Sequence, residues 1–240
     1  MKLFVSDYDD TYYMNDMDIK ENNKLIKKLQ KKNFLFAIAT GRPGHSIKEK
    51  IKMYQIPVDY IICSDGSIIY DKDGNIIQMF PIKQDILPAF INFYQNLNYE
   101  EIQFSYPEGY ANIPYENKTL LGLNICLSNE VINKKIINAF QKLRNSFPNY
   151  NYLLYTHPHF SFLCIKPCNV SKSFAVKTLR DLLDIEEENI YVIGDAGNDY
   201  EMIRDFHGVA MSHANPDILK IAKKSYPKVS NYLNEILRKQ

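Results

Sequence analysis

The four cysteines in 240 residues, Cys63, Cys126, Cys164 and Cys168, form no Cys-x-x-Cys pair. That argues against a thiol metal centre or redox pair. Three of the four lie in apolar, strand-like runs, so buried, unpaired thiols are the expectation. An excess of charge of one sign is also missing: the formal net charge is +1 at pH 7, so no basic face is forced and nucleic acid is not an expected partner. No apolar run approaches the ~18 residues of a membrane span, and no membrane partner is expected. Met1 leads straight into a strand, without a charged segment and apolar stretch behind it, which makes a cytoplasmic location the expectation. There is no internal repeat and no low-complexity segment. The lysine-rich run at 27–32 reads as a solvated helix face. What remains is ordinary for a soluble globular protein, with 45% hydrophobic and 24% charged residues and length enough for one large domain or two small ones.

The stretch around which the chain is organised is Asp7-Tyr8-Asp9-Asp10-Thr11, directly behind the apolar run Leu3-Phe4-Val5. The chain must leave the strand there, and the turn can aim Asp7 and Asp9 into one crevice beyond the strand's carboxyl end, where open α/β sheets bind ligands. Two close carboxylates repel unless a cation lies between them, and a hard oxygen-liganded ion such as Mg²⁺ suits them. Aspartate is also a common turn residue, so the motif alone is equally a plain strand end.

Further along, Ile19 to Lys32 has helical spacing, Phe34 to Ala39 reads as a buried parallel strand ending at Thr40-Gly41-Arg42, a helix is expected over His45–Tyr54, and Val58 to Cys63 is another strand. That alternation predicts a doubly wound α/β sheet. A hairpin follows over residues 68–77, with Gly74 in its turn. From about residue 80 to 166 helices at 86–95 and 131–143 mix with strands near 102–106, 120–127, 152–155 and 160–165. Ser128 is a candidate N-cap for the second helix, whose Ile132, Ile136, Phe140 and Leu143 form one apolar stripe. This segment predicts an α+β module of 80–166 inserted into a core of 1–79 and 167–240. Alternation then resumes, with a helix over Ser171–Leu183, a strand at 190–193 ending in Gly194-Asp195-Ala196-Gly197-Asn198-Asp199, a short helix at 200–205, a strand at 208–211, a helix opened by Asn215-Pro216 and a last helix near 232–238.

Three buried strands thus end in polar turns that a parallel sheet places along one edge. Thr40 offers a hydroxyl, and Gly41 lets a backbone N–H approach a phosphate closely. Asp195 adds a third carboxylate for an octahedral Mg²⁺ with retained waters. Lys172, at the start of a helix, can supply a cation to a phosphate oxygen. Singly, each has a plain reading as a turn or a surface lysine; together, and in this order, they point to one phosphate-handling site.

These motifs resemble those of the haloacid dehalogenase superfamily phosphatases of the Cof type, with a type IIB cap. Asp7, Asp9 and Thr11 match its Asp-x-Asp-x-Thr motif. Thr40, Gly41 and Arg42 match Thr-Gly-Arg, while Ser171, Lys172 and Ala175 match Ser-Lys-x-x-Ala. Gly194, Asp195, Asn198 and Asp199 match Gly-Asp-x-x-Asn-Asp. Weaker echoes are Ser64-Asp65-Gly66, Val209-Ala210-Met211 and Ala214-Asn215-Pro216. Two features depart from the pattern: Asp10 stands where glycine is usual, and the region after Ser225 is shorter than usual.

The resemblance implies a Rossmann-like doubly wound core with an inserted α+β cap of type C2B that sets substrate specificity. It implies a Mg²⁺-dependent phosphatase for small phosphomonoesters, sugar phosphates first, then pyridoxal phosphate, flavin mononucleotide and nucleoside monophosphates. In that scheme Asp7 is the nucleophile, forming an aspartyl-phosphate, and Asp9 is the general acid and base. Asp7, the Asp9 backbone carbonyl and Asp195 hold the metal. Thr40, Gly41 and Lys172 hold phosphoryl oxygens, Asn198 orients phosphate or substrate, Asp199 anchors Lys172 or a metal-bound water, and Arg42 contributes specificity. In the cap, the turn from Tyr106 to Tyr110 and His157-Pro158-His159 read as substrate contacts or, preferred, ordinary loops. The expected partner is a small phosphate ester, and the expected state a monomer or weak homodimer. Two rival readings are a phosphotransferase or mutase on the same aspartyl-phosphate, and a non-catalytic phosphoester-binding regulator.

Overall fold

Leu3, Phe4 and Val5 are all fully buried, and the strand they form, β1 (Lys2–Ser6), has no solvent-facing side, as befits the middle of a parallel sheet. The computed structural model describes residues 1–95, 97–156 and 159–240. The chain divides into two units, Met1–Met79 with Ser171–Gln240, and Phe80–Val170. The second crossing lies after Val170 rather than at 166/167, because the last strand of the second unit stays paired through Pro167.

In the first unit β1 is followed by β2 (Phe34–Ala39), β3 (Tyr60–Cys63), β4 (Ile68–Asp71) and β5 (Ile76–Met79). After the second unit come β11 (Ile190–Gly194), β12 (Val209–Met211) and β13 (Ser225–Tyr226). They form one eight-stranded sheet in the order β13-β12-β11-β1-β2-β3-β4-β5, parallel from β13 to β3 and antiparallel beyond. The chain builds outward from β1 in one direction, then returns to its other side with β11. The loops after β1, β2 and β11 therefore meet where the winding reverses, which is the ligand-binding crevice of open α/β sheets.

Six helices belong to this unit: α1 (Asp16–Gln30), α2 (Gly44–Tyr54), α5 (Lys172–Leu183), α6 (Tyr200–Asp205), α7 (Pro216–Ile221) and α8 (Val229–Arg238). On one face of the sheet Leu3, Val5, Ala37 and Val192 pack with Ala175, Val176 and Leu179 of α5 and Met202 and Ile203 of α6. On the other, Phe4 packs on Phe36 and on Tyr232 of α8, with Tyr12 against Phe36. Helix α1 starts three residues before the expected Ile19. The Asn15 side chain accepts from the N–H of Met17 and of Asp18, a polar cap that apolar spacing does not reveal.

The second unit holds α3 (Leu87–Tyr94), β6 (Glu101–Tyr106), β7 (Gly109–Ala111), β8 (Gly122–Ser128), α4 (Lys134–Ser146), β9 (Tyr150–Thr156) and β10 (Phe160–Pro167). Its five strands make an antiparallel sheet in the order β7-β6-β8-β10-β9. Phe90 of α3 and Ile136, Phe140 and Leu143 of α4 pack on Leu123, Ile125, Leu163 and Ile165. Ser128 does not cap α4. It closes β8 opposite Phe160, and Asn133 is the cap, accepting from the N–H of Lys135 at 2.9 Å and of Ile136 at 3.1 Å.

The four cysteines form no disulfide, but only Cys63 and Cys164 are buried; Cys126 is half-buried and Cys168, one residue past β10, is exposed. Among the described residues no helix is long and apolar enough to cross a membrane.

Candidate active site

The loop after β1 begins with its backbone fastened: the Asp7 N–H donates to Ile193 O of β11 at 3.0 Å, and Asp7 O and Tyr8 O accept from Tyr12 and Tyr13. Asp7 is only 6% exposed. Its carboxylate faces Lys172, the first residue of α5, which the Ser171 hydroxyl caps by accepting from the Phe174 N–H. Lys172 is fully buried, and its Nζ donates to Asp7 Oδ1 at 2.6 Å and to Asp199 Oδ1 at 2.8 Å. A buried ammonium is costly unless paired and hydrogen-bonded. Burial alone pulls Lys172 down, yet Asp199, Asp7 and Asp65 together hold it well above the usual lysine value. It stays a cation.

Asp199 is completely buried and both its oxygens are committed. Oδ1 takes Lys172, and Oδ2 accepts from the N–H of Asp195 and of Ala196, each at 3.1 Å. Gly194 makes room for this turn, since a β-carbon there would lie 2.4 Å from the Asp199 carboxyl carbon. The fold thus turns Asp199 into a fixed clamp for Lys172 and for the start of the loop carrying Asp195.

One oxygen each of Asp7, Asp195 and Asp199 can be chosen so that all lie within 4.8 Å of one another. Burial pushes the Asp7 carboxyl up, Lys172 pulls against it, and Asp199 and Asp195 push it further. Asp195 is likewise raised, first by burial and, among its neighbours, by Asp199, with the Thr11 hydroxyl donating to Oδ1 at 2.7 Å. Crowded carboxylates with oxygen-only donors are what a hard divalent cation relieves, so the residues fit one. With Asp199 spent on Lys172 and two amides, Asp7 and Asp195 are the side chains best placed to hold it.

Asp9 does not join that cluster through its side chain. Arg42 takes both of its oxygens, Nη2 to Oδ1 at 2.6 Å and Nε to Oδ2 at 2.7 Å, while Nη1 donates to Ser46 Oγ at 3.1 Å. The guanidinium also lies 5.6 Å from the Tyr8 ring centroid. In this arrangement Arg42, expected to meet substrate, is committed to Asp9.

The loop after β2 is stitched to the one after β3. Thr40 N–H donates to Ile62 O, Asp65 N–H to Thr40 O, and Ser64 N–H to Arg42 O, at 2.9 to 3.0 Å. Thr40 is 1% exposed and its Oγ1 accepts from the Arg42 N–H. Ser64, Asp65 and Gly66 are consecutive left-handed residues, with φ of 50°, 53° and 103°. A β-carbon at Gly66 would lie 2.2 Å from Ser171 O, so only glycine fits between this turn and the start of α5. Asn198 Nδ2 donates to Asp65 Oδ1 at 2.8 Å.

Asp7, Thr40, Lys172, Asp195, Asn198 and Asp199 are therefore in one network, with Asp9 and Arg42 paired at its side and Gly41 close against it, since a β-carbon there would lie 2.9 Å from Asp65 Oδ1. Asp65, read from sequence only as part of a weak echo, is a working member: it holds Asn198 and contributes to the field on Lys172. The signal was available, since Asp65-Gly66 follows a buried strand just as the other loops do. His213, whose Nε2 lies 2.9 Å from Asp10 O, carried no sequence signal. In the second unit, Tyr106 is buried and its hydroxyl accepts from the Tyr115 N–H, and Tyr106 to Ala111 is a tight hairpin of β6 and β7. His157 and Pro158 lie outside the described residues, and His159 is exposed.

A family model for haloacid dehalogenase-like hydrolases matches residues 4–232. A Buchnera aphidicola protein provisionally named a phosphatase is 26% identical, over 99% of both chains. A Bacillus subtilis protein named 5-amino-6-(5-phospho-D-ribitylamino)uracil phosphatase YcsE is 24% identical, over 92% of this chain and 87% of its own. Among solved structures, a haloacid dehalogenase-like hydrolase from B. subtilis superposes with a TM-score of 0.80 at 18% identity, covering 98% of this chain and 100% of that one.

Proposed function

The chain belongs to the haloacid dehalogenase-like hydrolases and is a phosphatase of that family, and from that premise we propose that it hydrolyses phosphorylated sugars and sugar alcohols in a Mg²⁺-dependent reaction through an aspartyl-phosphate on Asp7. The observation that carries the reading is the fully buried Lys172 between Asp7 and Asp199, with Asp195 beside them. A cation clamped against a nucleophilic carboxylate serves phosphoryl transfer, in which charge rather than covalent chemistry is the obstacle.

In this reading Asp7, Asp195 and the Asp9 backbone carbonyl would hold a Mg²⁺, which would supply positive charge against the phosphoryl oxygens. Asp7 Oδ2 attacks phosphorus, the leaving-group oxygen departs with a proton from Asp9, and the aspartyl-phosphate is hydrolysed by a water that gives its proton back to Asp9. Asp7 Oδ1 stays on Lys172, which with Thr40 and the Gly41 N–H steadies the phosphoryl oxygens. Asp9 reaches the leaving group only when its carboxyl swings off the Arg42 fork, so the arrangement seen is a resting one. Asn198 is held by Asp65 and orients the phosphate. The unit of residues 80–170 is the cap that selects the substrate.

The substrate class follows from the family resemblance, and the name of the B. subtilis relative, a phosphatase of a phosphoribityl compound, extends it to sugar alcohols. The test is phosphate release from a panel of sugar, sugar-alcohol, nucleotide and cofactor phosphates, with and without Mg²⁺, alongside Asp7→Asn. Mg²⁺-dependent turnover that vanishes in the variant supports the chemistry. Best rates on nucleotides or cofactor phosphates would overturn the substrate class, and no turnover on any ester would overturn the phosphatase reading.

A further inference from the structure

Within the loop after β1, Asp10 alone is left-handed, with φ at 55°, a conformation that a β-carbon makes unfavourable and that aspartate merely tolerates. The turn is not left to hold itself. His213, two residues past β12, places Nε2 2.9 Å from Asp10 O. A carbonyl oxygen only accepts, so Nε2 carries the proton and donates it. The same nitrogen lies 4.0 Å from Asp195 Oδ2. The loop carrying His213 is itself fixed by three backbone bonds: Ser212 N–H to Tyr226 O, Ala214 N–H to Met211 O, and Asn215 N–H to Asp195 O, between 2.8 and 3.0 Å. The neighbour of Asp10, Thr11, reaches across to Asp195 Oδ1. Two successive residues of the first loop are thus fastened to the side of the site that presents Asp195, one through its carbonyl and one through its hydroxyl.

We propose that His213 is a positioning residue for the divalent cation, holding the strained Asp10 turn in the one shape in which Asp7 and Asp195 offer oxygens to a shared ion. The inference rests on the reading above that Asp7 and Asp195 hold that ion. Without the His213 clip, the turn keeps the Tyr12 and Tyr13 N–H bonds to Asp7 O and Tyr8 O and the Thr11 bond to Asp195, but the strained Asp10 peptide is released, and the spacing of the two carboxylates is held less tightly. The contact is specific to the residue pair, because the strain comes from the Asp10 β-carbon and the clip from an imidazole N–H. His213 itself is substantially exposed, with 42% of its side chain accessible, so its replacement leaves the apolar core untouched.

The experiment is calorimetric titration of Mg²⁺ into the full-length protein without substrate, for wild type, H213A, H213Q, D10G and the D10G/H213A double variant, with apo melting temperatures alongside. H213A is expected to weaken Mg²⁺ on the order of 10-fold, the scale of lost outer partners at metal sites. H213Q, which retains an N–H donor, should recover part of that loss. In D10G, where the turn is unstrained, adding H213A should cost little. Wild-type affinity in H213A would overturn the proposal, and so would an equal loss from H213A whether it is made in the wild-type or the D10G background. A lower melting temperature with unchanged Mg²⁺ affinity would reduce His213 to a structural contact and overturn it too. No binding by wild type would fell the metal reading itself, a result distinguishable from all of these.

Discussion

The two units of this chain bury different things. In the unit of residues 1–79 and 171–240, the charged residues Asp7, Asp18, Asp65, Lys172 and Asp199 are buried, whereas in the unit of residues 80–170 Lys166 is the one charged residue among the described buried ones. Backbone strain divides the same way: of the described non-glycine residues with positive φ, only Asn169 falls in the second unit. The second unit is held by a sheet face and two helices packing Phe, Leu and Ile side chains, a fold that apolar burial alone supports. The first unit has that kind of core too, but at the carboxyl ends of its strands it carries buried charge and left-handed turns that weaken a fold and persist where function holds them.

The comparison breaks hardest at Asp7. Asp7→Asn leaves shape and most hydrogen bonding intact while removing the nucleophile, and should lower phosphate release by roughly 10⁴-fold or more; a variant retaining a tenth of wild-type turnover would end the covalent scheme. Lys172→Met comes next. It strands Asp7 and Asp199 in a buried site without their cation, and should cost about 3–5 kcal/mol in urea unfolding without Mg²⁺. The sign with pH is defined. Burial and the neighbouring carboxylates already push the Asp7 carboxyl up while Lys172 pulls it down; without Lys172 it rises further above its unfolded value, so the deficit is small below about pH 4 and grows as pH rises and the buried carboxyl must ionise. A deficit that shrank with rising pH would contradict the pairing.

Legibility in the sequence follows the same division. The doubly wound sheet could be read because Leu3-Phe4-Val5 and Phe34 to Ala39 are apolar on both faces, a pattern that only a covered parallel strand sustains. The strand-end motifs put Asp7, Thr40, Asp195 and Asp199 on one sheet edge from the sequence alone, and Lys172 was readable as the first residue of a helix beside them. Pairing within the site was legible at one point only, the Asp199–Lys172 contact that the family resemblance offered as one of two roles for Asp199. Nothing in the order of residues says that Arg42 closes on Asp9, that Asp199 spends both oxygens on Lys172 and two amides, or that His213 reaches Asp10, since each depends on angstrom-scale side-chain placement across loops distant in sequence. The misplaced cap of α4 has a simpler cause: both Ser128 and Asn133 are good N-caps, and the register of β8, which keeps Ser128 opposite Phe160, decides between them.

The cap core offers the opposite lesion to Lys172→Met. Leu163 is fully buried between the sheet and the helices of the second unit, so Leu163→Ala should cost about 2–5 kcal/mol by the cavity it opens. Mg²⁺ titration should be indistinguishable from wild type, because every carboxylate of the cation cluster belongs to the other unit. A weakened Mg²⁺ affinity in this variant would mean that the two kinds of burial are energetically linked, and the comparison would have to be given up.

The smallest effect sharpens the comparison within the first unit, by separating an ionic cluster that serves the site from one that only serves stability. Asp205, at the end of α6, accepts from Ser173, Lys177 and Arg204. Burial pushes its carboxyl up, but those donors outweigh it and bring the value from 3.8 down to about 2. A depressed folded value means stability that is present above pH 3.8 and is lost as pH falls towards 2. With Lys177 and Arg204 about half-exposed, screening holds the contribution to roughly 1–2 kcal/mol. Wild type should therefore melt above Asp205→Asn at pH 6, and the two curves should converge between about pH 4 and 2. Turnover and Mg²⁺ affinity should be unchanged in the variant at neutral pH, because the side chains of Ser173, Lys177, Arg204 and Asp205 bond to one another and make no hydrogen bond or ion pair to the side chains of Asp7, Lys172, Asp195 or Asp199. A gap in melting temperature that persisted at pH 2 would show that Asp205 acts through packing rather than charge.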